Sequence, residues 1–332
     1  MKNKQKKTST ARKVFYWVAG IILAALLVVF GIIGFYIKRT HDFFDIISAD
    51  SANVEQIPEI AETPFVVFVS GIDTYGEIER VSRSDVNMAV VINPVVDKIL
   101  IVNIPRDYYV PIHGIGTKDK LTHTGILGID TTVATVEDFL NIKVDHYIRI
   151  NFDGLKTLVD LIEGLDIDSE IAFTAHTDNG CHFDQGINHV DGRCALAYAR
   201  ERYAYSTGDM HRNENQAQVI QLIIRKLSDP DFLLAHYLDI LDATSDHLRT
   251  NISSANIDKL VNLQVYYRPE WEIERYGLIE YGSMEYGYFY PNQKLWMGQP
   301  DWNTVQVAHD KIVDLLAQTS KEEVVEETIN EW

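Results

Sequence analysis

Basic residues are scarce in this chain of 332 residues, which carries 30 lysine and arginine side chains against 48 aspartate and glutamate side chains. The formal net charge of −18 would repel nucleic acid, so we expect no nucleic-acid partner. The sequence contains no internal repeat and no low-complexity tract. Its hydrophobic fraction of 46% is that of an ordinary globular protein, which excludes a disordered chain and a multi-span membrane protein.

Acidic side chains are missing from the first 39 residues, whereas lysines and arginines are frequent there. Val14 to Ile37 carries no charge, and as a helix rising about 1.5 Å per residue it would exceed a bilayer core of about 30 Å. Aromatic residues at both ends of this run and basic residues before it favour a single span with a cytoplasmic N-terminus. The alternative is a cleaved signal peptide, but the run is about twice as long as a signal core of 7 to 15 residues.

We therefore predict a single-pass protein of the plasma membrane, anchored in the lipid bilayer through Val14–Ile37, with its main domain outside the cell. Residues 1–13 are predicted to be a cytoplasmic basic tail, 14–37 a transmembrane helix and 38–63 a juxtamembrane stalk. Residues 64–320 are long enough to bury a sizeable core and are predicted to form the extracellular domain. An acidic tail is predicted at 321–332.

Within the main domain, apolar runs of strand composition alternate with segments of helical periodicity. The second and third strands flank a turn-like segment, Asn93–Asp97, and are expected to pair as a hairpin. This alternation predicts an α/β fold with helices on both faces of a sheet. The predicted strands are Phe65–Val69, Val86–Ile92, Lys98–Ile104 and His146–Phe152, and the predicted helices are Thr131–Leu140, Asp153–Glu163, Arg193–Arg202, Arg212–Lys226 and Val305–Ala317.

Three polar clusters stand at the ends of apolar runs, where α/β sheets usually build their sites. Each cluster combines arginines with carboxylates. Guanidinium groups match phosphate oxygens bidentately, and carboxylates suit a Mg²⁺ ion that also touches substrate phosphates. The alternative is that they are surface ion pairs, worth well under about 1 kcal/mol each. The clusters are Ser70–Asp73 with Ser82–Asp85, Ile104–Asp107, and Ala199–Arg202 with Gly208–Arg212 and Gln216.

Taken in order, and together with Ala195–Arg200, these clusters resemble the motifs of the LytR-CpsA-Psr family. The resemblance runs from about Pro64 to Lys226. It implies an α/β/α sandwich around a central mixed β-sheet, with an apolar tunnel for a prenyl chain. It also implies a membrane-anchored phosphotransferase that moves a glycopolymer from a polyprenyl diphosphate carrier onto peptidoglycan. Capsule, teichoic acid or another wall glycan are the possible polymers.

The resemblance further implies roles for individual residues by position. Asp73 and Asp85 match carboxylates associated with Mg²⁺, the expected cofactor. Lys120 is matched loosely, and a solvated loop lysine is the alternative there. The implied diphosphate-binding residues are Arg83, Arg106, Lys120, Arg200, Arg202, Arg212 and Gln216, and the implied catalytic residues are Arg83, Arg106, Arg200 and Asp209.

The sequence departs from the family pattern at three places. Ser82 stands where a glycine often precedes the first arginine, and Asn103 stands where a serine often precedes the isoleucine. Glu163–Leu165 occupies a position where two glycines are usual. No charged group of the expected site is lost, so these departures bear on substrate choice more than on reaction type.

Two other functions would need the same arginines. One is a non-catalytic regulator that holds a polyprenyl phosphate, and the other is a polyprenyl diphosphate hydrolase in which water replaces the sugar acceptor. The general base stays open, because Asp107 and Asp209 could each take a proton or orient an arginine. Two apolar segments, Ile126–Leu127 and Phe152–Leu161, either line a lipid pocket or belong to the ordinary core.

The chain has only two cysteines, Cys181 and Cys194. An even number of cysteines in an oxidising compartment predicts a disulfide between them. The alternative is a pair of buried free thiols, because Cys194 lies on a predicted helix with apolar neighbours.

Overall fold

A computed structural model describes Lys38 and residues 60–320 of the chain. The predicted basic tail at 1–13, the membrane helix at 14–37, most of the stalk at 38–63 and the acidic tail at 321–332 lie outside the described residues. Among the residues that are described, no helix has the length and apolar character needed to cross a membrane.

Strands and helices alternate along residues 60–320, as the sequence predicts. The strands are β1 (Phe65–Ile72), β2 (Ser84–Asn93), β3 (Lys98–Asn103), β4 (Tyr109–Pro111), β5 (Lys118–Lys120), β6 (His146–Asn151), β7 (Leu165–Ser169), β8 (Phe173–Thr174), β9 (His182–Phe183), β10 (Gly186–Val190), β11 (Leu248–Thr250), β12 (Glu272–Gly277), β13 (Glu280–Tyr286) and β14 (Lys294–Pro300). The α-helices are α1 (Leu121–Thr124), α2 (Ile129–Leu140), α3 (Phe152–Leu161), α4 (Gly192–Arg200), α5 (Asp209–Leu227), α6 (Pro230–Thr244), α7 (Ser254–Asn262) and α8 (Trp302–Ala317). A π-helical segment, Leu263–Tyr267, continues from α7.

A mixed six-stranded sheet forms the centre of the domain, in the order β11-β6-β1-β2-β3-β12. Strand β1 pairs antiparallel with β2 and parallel with β6, and β12 pairs parallel with β3. The antiparallel pairing of β2 with β3 confirms the predicted hairpin. As a result, the carboxyl ends of β1, β3 and β6 meet at the same edge of the sheet, where β2 begins.

Side chains of the central strands alternate between the two faces of the sheet, and helices cover both faces. Val66 and Phe68 of β1 join a core with α2 and α8, whereas Val67 and Val69 join a second core that includes residues of α5 and α7. Strand β1 is buried along nearly its whole length. Its continuous apolar sequence is typical of a strand that is covered on both faces. The mixed α/β fold with a central sheet is therefore confirmed.

Capping residues explain the main differences between predicted and observed boundaries. Strand β6 stops before Phe152 because the Asn151 side chain accepts a hydrogen bond from the Gly154 N–H and starts α3. Helix α8 begins at Trp302, earlier than predicted, because Asp301 caps it in the same way. Sequence reasoning missed β12 and the β13–β14 hairpin, whose side chains are largely exposed and lack clear alternation.

A third core lies beside the sheet and contains the predicted disulfide. Cys181 and Cys194 are bonded, with their Cα atoms 5.4 Å apart, so this prediction is confirmed. The bond joins the segment before β9 to the first turn of α4, and both cysteines contact the core that includes Phe183 and Tyr198. Because Arg200 ends α4, the disulfide restrains a helix that leads directly to the third polar cluster.

Replacing both cysteines by serine should lower the free energy of unfolding by about 3 kcal/mol, because a closed loop of this length restricts the unfolded chain. Urea unfolding without reductant measures the loss. Reductant should destabilise the wild type by a similar amount and leave the double variant unchanged. An unfolding midpoint that does not move in the double variant would contradict a stabilising role for this bond.

Candidate active site

An apolar cavity of about 320 Å³ opens at the carboxyl end of β1. Phe152 and Leu155 of the predicted lipid-pocket segment line it, whereas Ile126 and Leu127 are partly exposed and do not. A cavity of this size and polarity is suited to an apolar chain. Its apolar wall includes Val69, Ile72, Val86, Ile150, Phe152, Leu155, Leu196, Val219 and Ile220.

Charged side chains gather at one part of this cavity because the sheet brings three strand ends together. Asp73 follows β1, Asp85 is the second residue of β2, and Arg106 follows β3. The end of α4 and the start of α5 supply the rest. The predicted residues that line the cavity are Asp73, Asp85, Arg106, Arg200, Arg202, Arg212 and Gln216.

Arg106 is fixed between two carboxylates. Its Nη1 donates a hydrogen bond to Asp85 Oδ2 at 2.8 Å, and its Nε lies 3.5 Å from Asp107 Oδ2. Thr122 donates its hydroxyl proton to the other Asp85 oxygen at 2.8 Å. The Arg106 and Asp85 side chains are only 22% and 14% exposed, so the guanidinium is held in one orientation against the cavity.

Arg83 and Arg200 occupy the same region with looser contacts. Arg83 Nη2 lies 3.4 Å from Asp73 Oδ2, and its side chain is 48% exposed. Arg83 is therefore at the outer margin and does not line the cavity. Arg200 lies with its guanidinium 4.6 Å from the centroid of the Phe152 ring, a cation–π contact that leaves its N–H groups available.

The start of α5 brings Asp209 against two arginines. Arg212 Nη1 lies 2.9 Å from Asp209 Oδ1, and Arg202 Nη1 lies 3.6 Å from the same oxygen. Arg212 and Gln216 are buried and are one turn apart on the helix, so both side chains reach the cavity. The two side chains therefore lie on one face of α5.

Lys120 also reaches the site, although it does not line the cavity. Its Nζ donates to Asp107 Oδ1 at 2.7 Å, and both side chains are largely buried. Asp107 thus lies between the ammonium of Lys120 and the guanidinium of Arg106. The alternative interpretation of Lys120 as a solvated loop lysine is wrong.

The pKa values show where charge is concentrated. Burial raises the pKa of Asp85, but Arg106, the Thr122 hydrogen bond and the other arginines outweigh it, so the pKa lies below its ordinary 3.8. Burial and the neighbouring Arg106 both lower the pKa of Arg212, although an arginine stays protonated. Burial also acts to lower the pKa of Arg106, but Asp85, Asp107 and Asp209 outweigh that effect, so the pKa of Arg106 is raised. An anion beside the two guanidinium groups would offset the repulsion that Arg106 exerts on Arg212.

Glu201 holds the segment that carries Arg200 and Arg202. Its carboxylate accepts hydrogen bonds from the backbone N–H groups of His176, Arg202, Tyr203 and Ala204 at 2.6 to 3.0 Å. Burial raises the pKa of this carboxyl, but the four N–H groups outweigh that effect and lower it. Sequence reasoning missed this role, because nothing in an Arg-Glu-Arg triplet indicates that the glutamate turns inward.

Glu280 is a site residue with no counterpart in the sequence prediction. It begins β13, beyond the part of the chain that resembles the family most closely. Burial, followed by the charges of Asp107 and Asp209, raises the pKa of Glu280 to about 8 against the opposing effects of Arg212 and Lys120. Within the described residues its Oε2 has no hydrogen-bond partner. The site therefore contains a carboxyl whose surroundings favour its protonated form.

Replacing Glu280 by glutamine should stabilise the fold at alkaline pH and change little near pH 4. Because the folded-state pKa is raised, wild-type stability should fall as the pH rises from about 4.5 to about 8 and then level off. Each unit of pKa difference is worth about 1.4 kcal/mol, and allowing for the solvent contact of this carboxyl we expect a gain on the order of 2 kcal/mol at pH 9. Thermal unfolding at both pH values measures it, and equal midpoints at pH 9 would contradict the raised pKa.

Asp73 and Asp85 are the residues of the cavity that fit a Mg²⁺ ion. Their carboxylates line the same cavity from the ends of paired strands, and Mg²⁺ usually takes one or two carboxylates together with substrate oxygens. A different group, Glu170, His211 and Glu214, places three possible ligand atoms within 4.8 Å of one another. It does not line this cavity, and both of its glutamates are exposed.

Comparison with known proteins identifies the family of this chain. The TagU polyisoprenyl-teichoic acid--peptidoglycan teichoic acid transferase of Bacillus mycoides (strain KBAB4) is 33% identical over 266 residues, which cover 77% of this chain and 84% of the relative. The structure of TagT bound to LI-WTA superposes with a TM-score of 0.64 at 25% identity, covering 80% of this chain and 95% of TagT. B. subtilis TagV gives a TM-score of 0.65 at 28% identity, covering 77% and 98%. The LytR_cpsA_psr family model matches residues 35–295. The chain therefore belongs to the LytR-CpsA-Psr family.

Proposed function

We propose that this family member transfers a teichoic acid polymer from a polyprenyl diphosphate carrier to peptidoglycan. The observation that carries the proposal is the junction of an apolar cavity with a cluster of guanidinium groups and carboxylates. A polyprenyl diphosphate has the same two parts, an apolar chain and a double phosphate. The choice of teichoic acid among wall polymers is supported by the name of the relative from Bacillus mycoides.

In the proposed reaction, a hydroxyl oxygen of peptidoglycan attacks the phosphorus atom that carries the polymer. A new oxygen–phosphorus bond forms, the bond to the bridging oxygen breaks, and the polyprenyl phosphate leaves with that electron pair. In the net reaction the hydroxyl proton is transferred to the polyprenyl phosphate that leaves. Arg106, Arg200 and Arg212 neutralise the charge that develops on the diphosphate oxygens. A Mg²⁺ ion held by Asp73 and Asp85 would add Lewis-acid stabilisation of the same oxygens.

Asp107 and Asp209 act in this proposal by orienting cations. Asp107 lies between Lys120 and Arg106, and Asp209 contacts Arg202 and Arg212. Each carboxylate therefore holds two cations in fixed positions beside the cavity. Arg83 at the outer margin would close over the diphosphate from the solvent side.

The test incubates the purified full chain with a lipid-linked teichoic acid oligomer, with and without peptidoglycan fragments. We expect polymer on peptidoglycan and free polyprenyl phosphate, both dependent on the acceptor. Release of polyprenyl phosphate at the same rate without acceptor would make the protein a hydrolase. Tight lipid binding with no turnover under either condition would make it a binding regulator.

We further propose that Val14–Ile37 anchors the chain in the plasma membrane, with the main domain outside. The uncharged run and the basic residues before it support this topology. Protease added to cells stripped of their wall should digest the main domain. Its survival under those conditions, with lysed cells as the positive control for cleavage, would contradict the proposed orientation.

A further inference from the structure

The β13–β14 hairpin presents one of its faces beside the active site. Strand pairing places even-numbered residues of β13 together with even-numbered residues of β14 on one surface. Successive side chains of a strand point to opposite faces, so Tyr281 belongs to the other surface. We call the first surface the hairpin face, and it consists of Glu280, Gly282, Met284 and Tyr286 of β13 with Lys294, Trp296, Gly298 and Pro300 of β14.

Two glycines let bulky groups lie close to the backbone on the hairpin face. A Cβ atom on Gly282 would overlap the Trp296 indole, and one on Gly298 would overlap the Glu280 carboxylate. The indole and the carboxylate therefore occupy space that side chains would otherwise fill. The two glycines thus allow the Trp296 ring and the Glu280 carboxyl group to pack directly against the hairpin backbone.

The hairpin face is continuous with the phosphate-binding residues. The Gly298 N–H donates to the backbone oxygen of Asp107 at 2.8 Å. Lys120 bonds the Asp107 carboxylate, and its Nζ also lies 5.6 Å from the centroid of the Trp296 ring. A ligand lying on Trp296 would therefore be within reach of the groups that surround the diphosphate.

The outer part of the hairpin face is apolar and open to solvent. Trp296, Tyr286 and Met284 are 42%, 51% and 53% exposed, and Lys294 lies over the Tyr286 ring at 5.4 Å. A contiguous exposed apolar surface with a charged rim is characteristic of a binding site. No residue of the hairpin face lines the apolar cavity, so the two surfaces are separate.

We propose that the hairpin face binds the sugar rings of the acceptor peptidoglycan strand, an inference that rests on the proposed transferase function. A sugar ring packs its C–H face on an aromatic ring while its hydroxyls bond polar neighbours. In phosphoryl transfer the attacking and leaving oxygens are roughly in line. Since the lipid phosphate leaves toward the apolar cavity, the acceptor arrives from the side of Asp107 and Lys120, where the hairpin face begins.

Charge supports the acceptor as the occupant. The ammonium group of Lys120 lies beside Trp296 and that of Lys294 lies over Tyr286, in a chain whose net charge is −18. Peptidoglycan carries carboxylates on its stem peptides at intervals along the sugar strand, and cations beside the aromatic rings suit them. The arrangement fits a ligand that combines apolar ring faces with spaced negative groups.

The experiment compares Trp296→Ala and Tyr286→Ala with a matched control, Tyr281→Ala, which removes an exposed tyrosine from the opposite surface of the same hairpin. Transfer is measured from a lipid-linked teichoic acid oligomer to a peptidoglycan oligosaccharide. We expect the KM for the oligosaccharide to rise about ten-fold in each of the two variants, while the KM for the lipid donor stays at the wild-type value. Tyr281→Ala should transfer normally. Tyr286→Ala is included because the Tyr286 ring, unlike the Trp296 ring, does not lie over Lys120. A rise in the acceptor KM in this variant therefore does not come from a change at Lys120.

An unchanged acceptor KM in both variants would overturn the inference. A rise in the donor KM alone would also overturn it, because the hairpin face would then hold the donor polymer. Calorimetric titration of wild type and variants with the oligosaccharide alone separates this inference from the proposed function. If the wild type transfers no polymer, the function fails, and loss of oligosaccharide binding in Trp296→Ala still decides whether the hairpin face is a glycan site.

Discussion

Replacing Arg106 by lysine should lower the rate of polymer transfer about a hundred- to thousand-fold at saturating lipid donor, the usual cost of losing one preorganised donor to a developing charge. Arg106 contacts Asp85 and Asp107 at the same time, through two different nitrogen atoms. A lysine ammonium keeps the positive charge but lacks the planar fork that can hold two carboxylates and still present N–H groups to a phosphate. The loss of transfer rate should therefore come from the chemical step.

The measurement pairs the transfer rate with the unfolding midpoint on the same preparation. Arg193→Lys is a matched control, because Arg193 makes a two-bond contact with Asp178 on the exposed surface, and it does not line the cavity. If Arg106 only supports the fold, Arg106→Lys will unfold at a lower temperature while the folded fraction transfers at a near-normal rate. That result would remove Arg106 from the active site and weaken the grouping of the three polar clusters.

The layered fold could be predicted from sequence because its central strands are apolar and continuous. β1, β2 and β3 are buried on both faces, and their β-branched composition leaves little ambiguity. β12 could not be found in the same way: Glu272–Gly277 is an edge strand with charged, mostly exposed side chains, and its place beside β3 is fixed by pairing across the whole domain. Local propensity contains no signal for such a partner.

The site residues also fall into those that a local sequence pattern predicts and those that it does not. Asp73, Asp85 and Arg106 stand at strand ends with a local pattern, so their convergence follows once the sheet order is known. Thr122, which bonds Asp85, lies on a short helix within a region of weak periodicity. Glu280 belongs to a hairpin that follows the recognisable motifs in the chain. Its raised pKa depends on burial, which no sequence pattern indicates.

Replacing Asp85 by asparagine should lower the transfer rate by about a hundred-fold, because it removes a carboxylate that both orients Arg106 and is proposed to hold Mg²⁺. The neutral amide is a weaker metal ligand, so the Mg²⁺ concentration for half-maximal transfer should also rise by about ten-fold or more. The lowered pKa of Asp85 makes the wild-type carboxylate fully ionised at neutral pH, so the substitution removes a complete negative charge.

Thr122→Val separates the two roles of Asp85. It removes the hydroxyl that bonds Asp85 Oδ1 but keeps the carboxylate and its contact with Arg106. We expect a rate loss of about ten-fold or less, corresponding to one hydrogen bond of about 1 kcal/mol, with an unchanged Mg²⁺ requirement. If Asp85→Asn loses rate equally at all Mg²⁺ concentrations, the carboxylate serves Arg106 alone. The metal role would then have to rest on Asp73, and Asp73→Asn, tested in the same titration, would carry the shift in Mg²⁺ requirement instead.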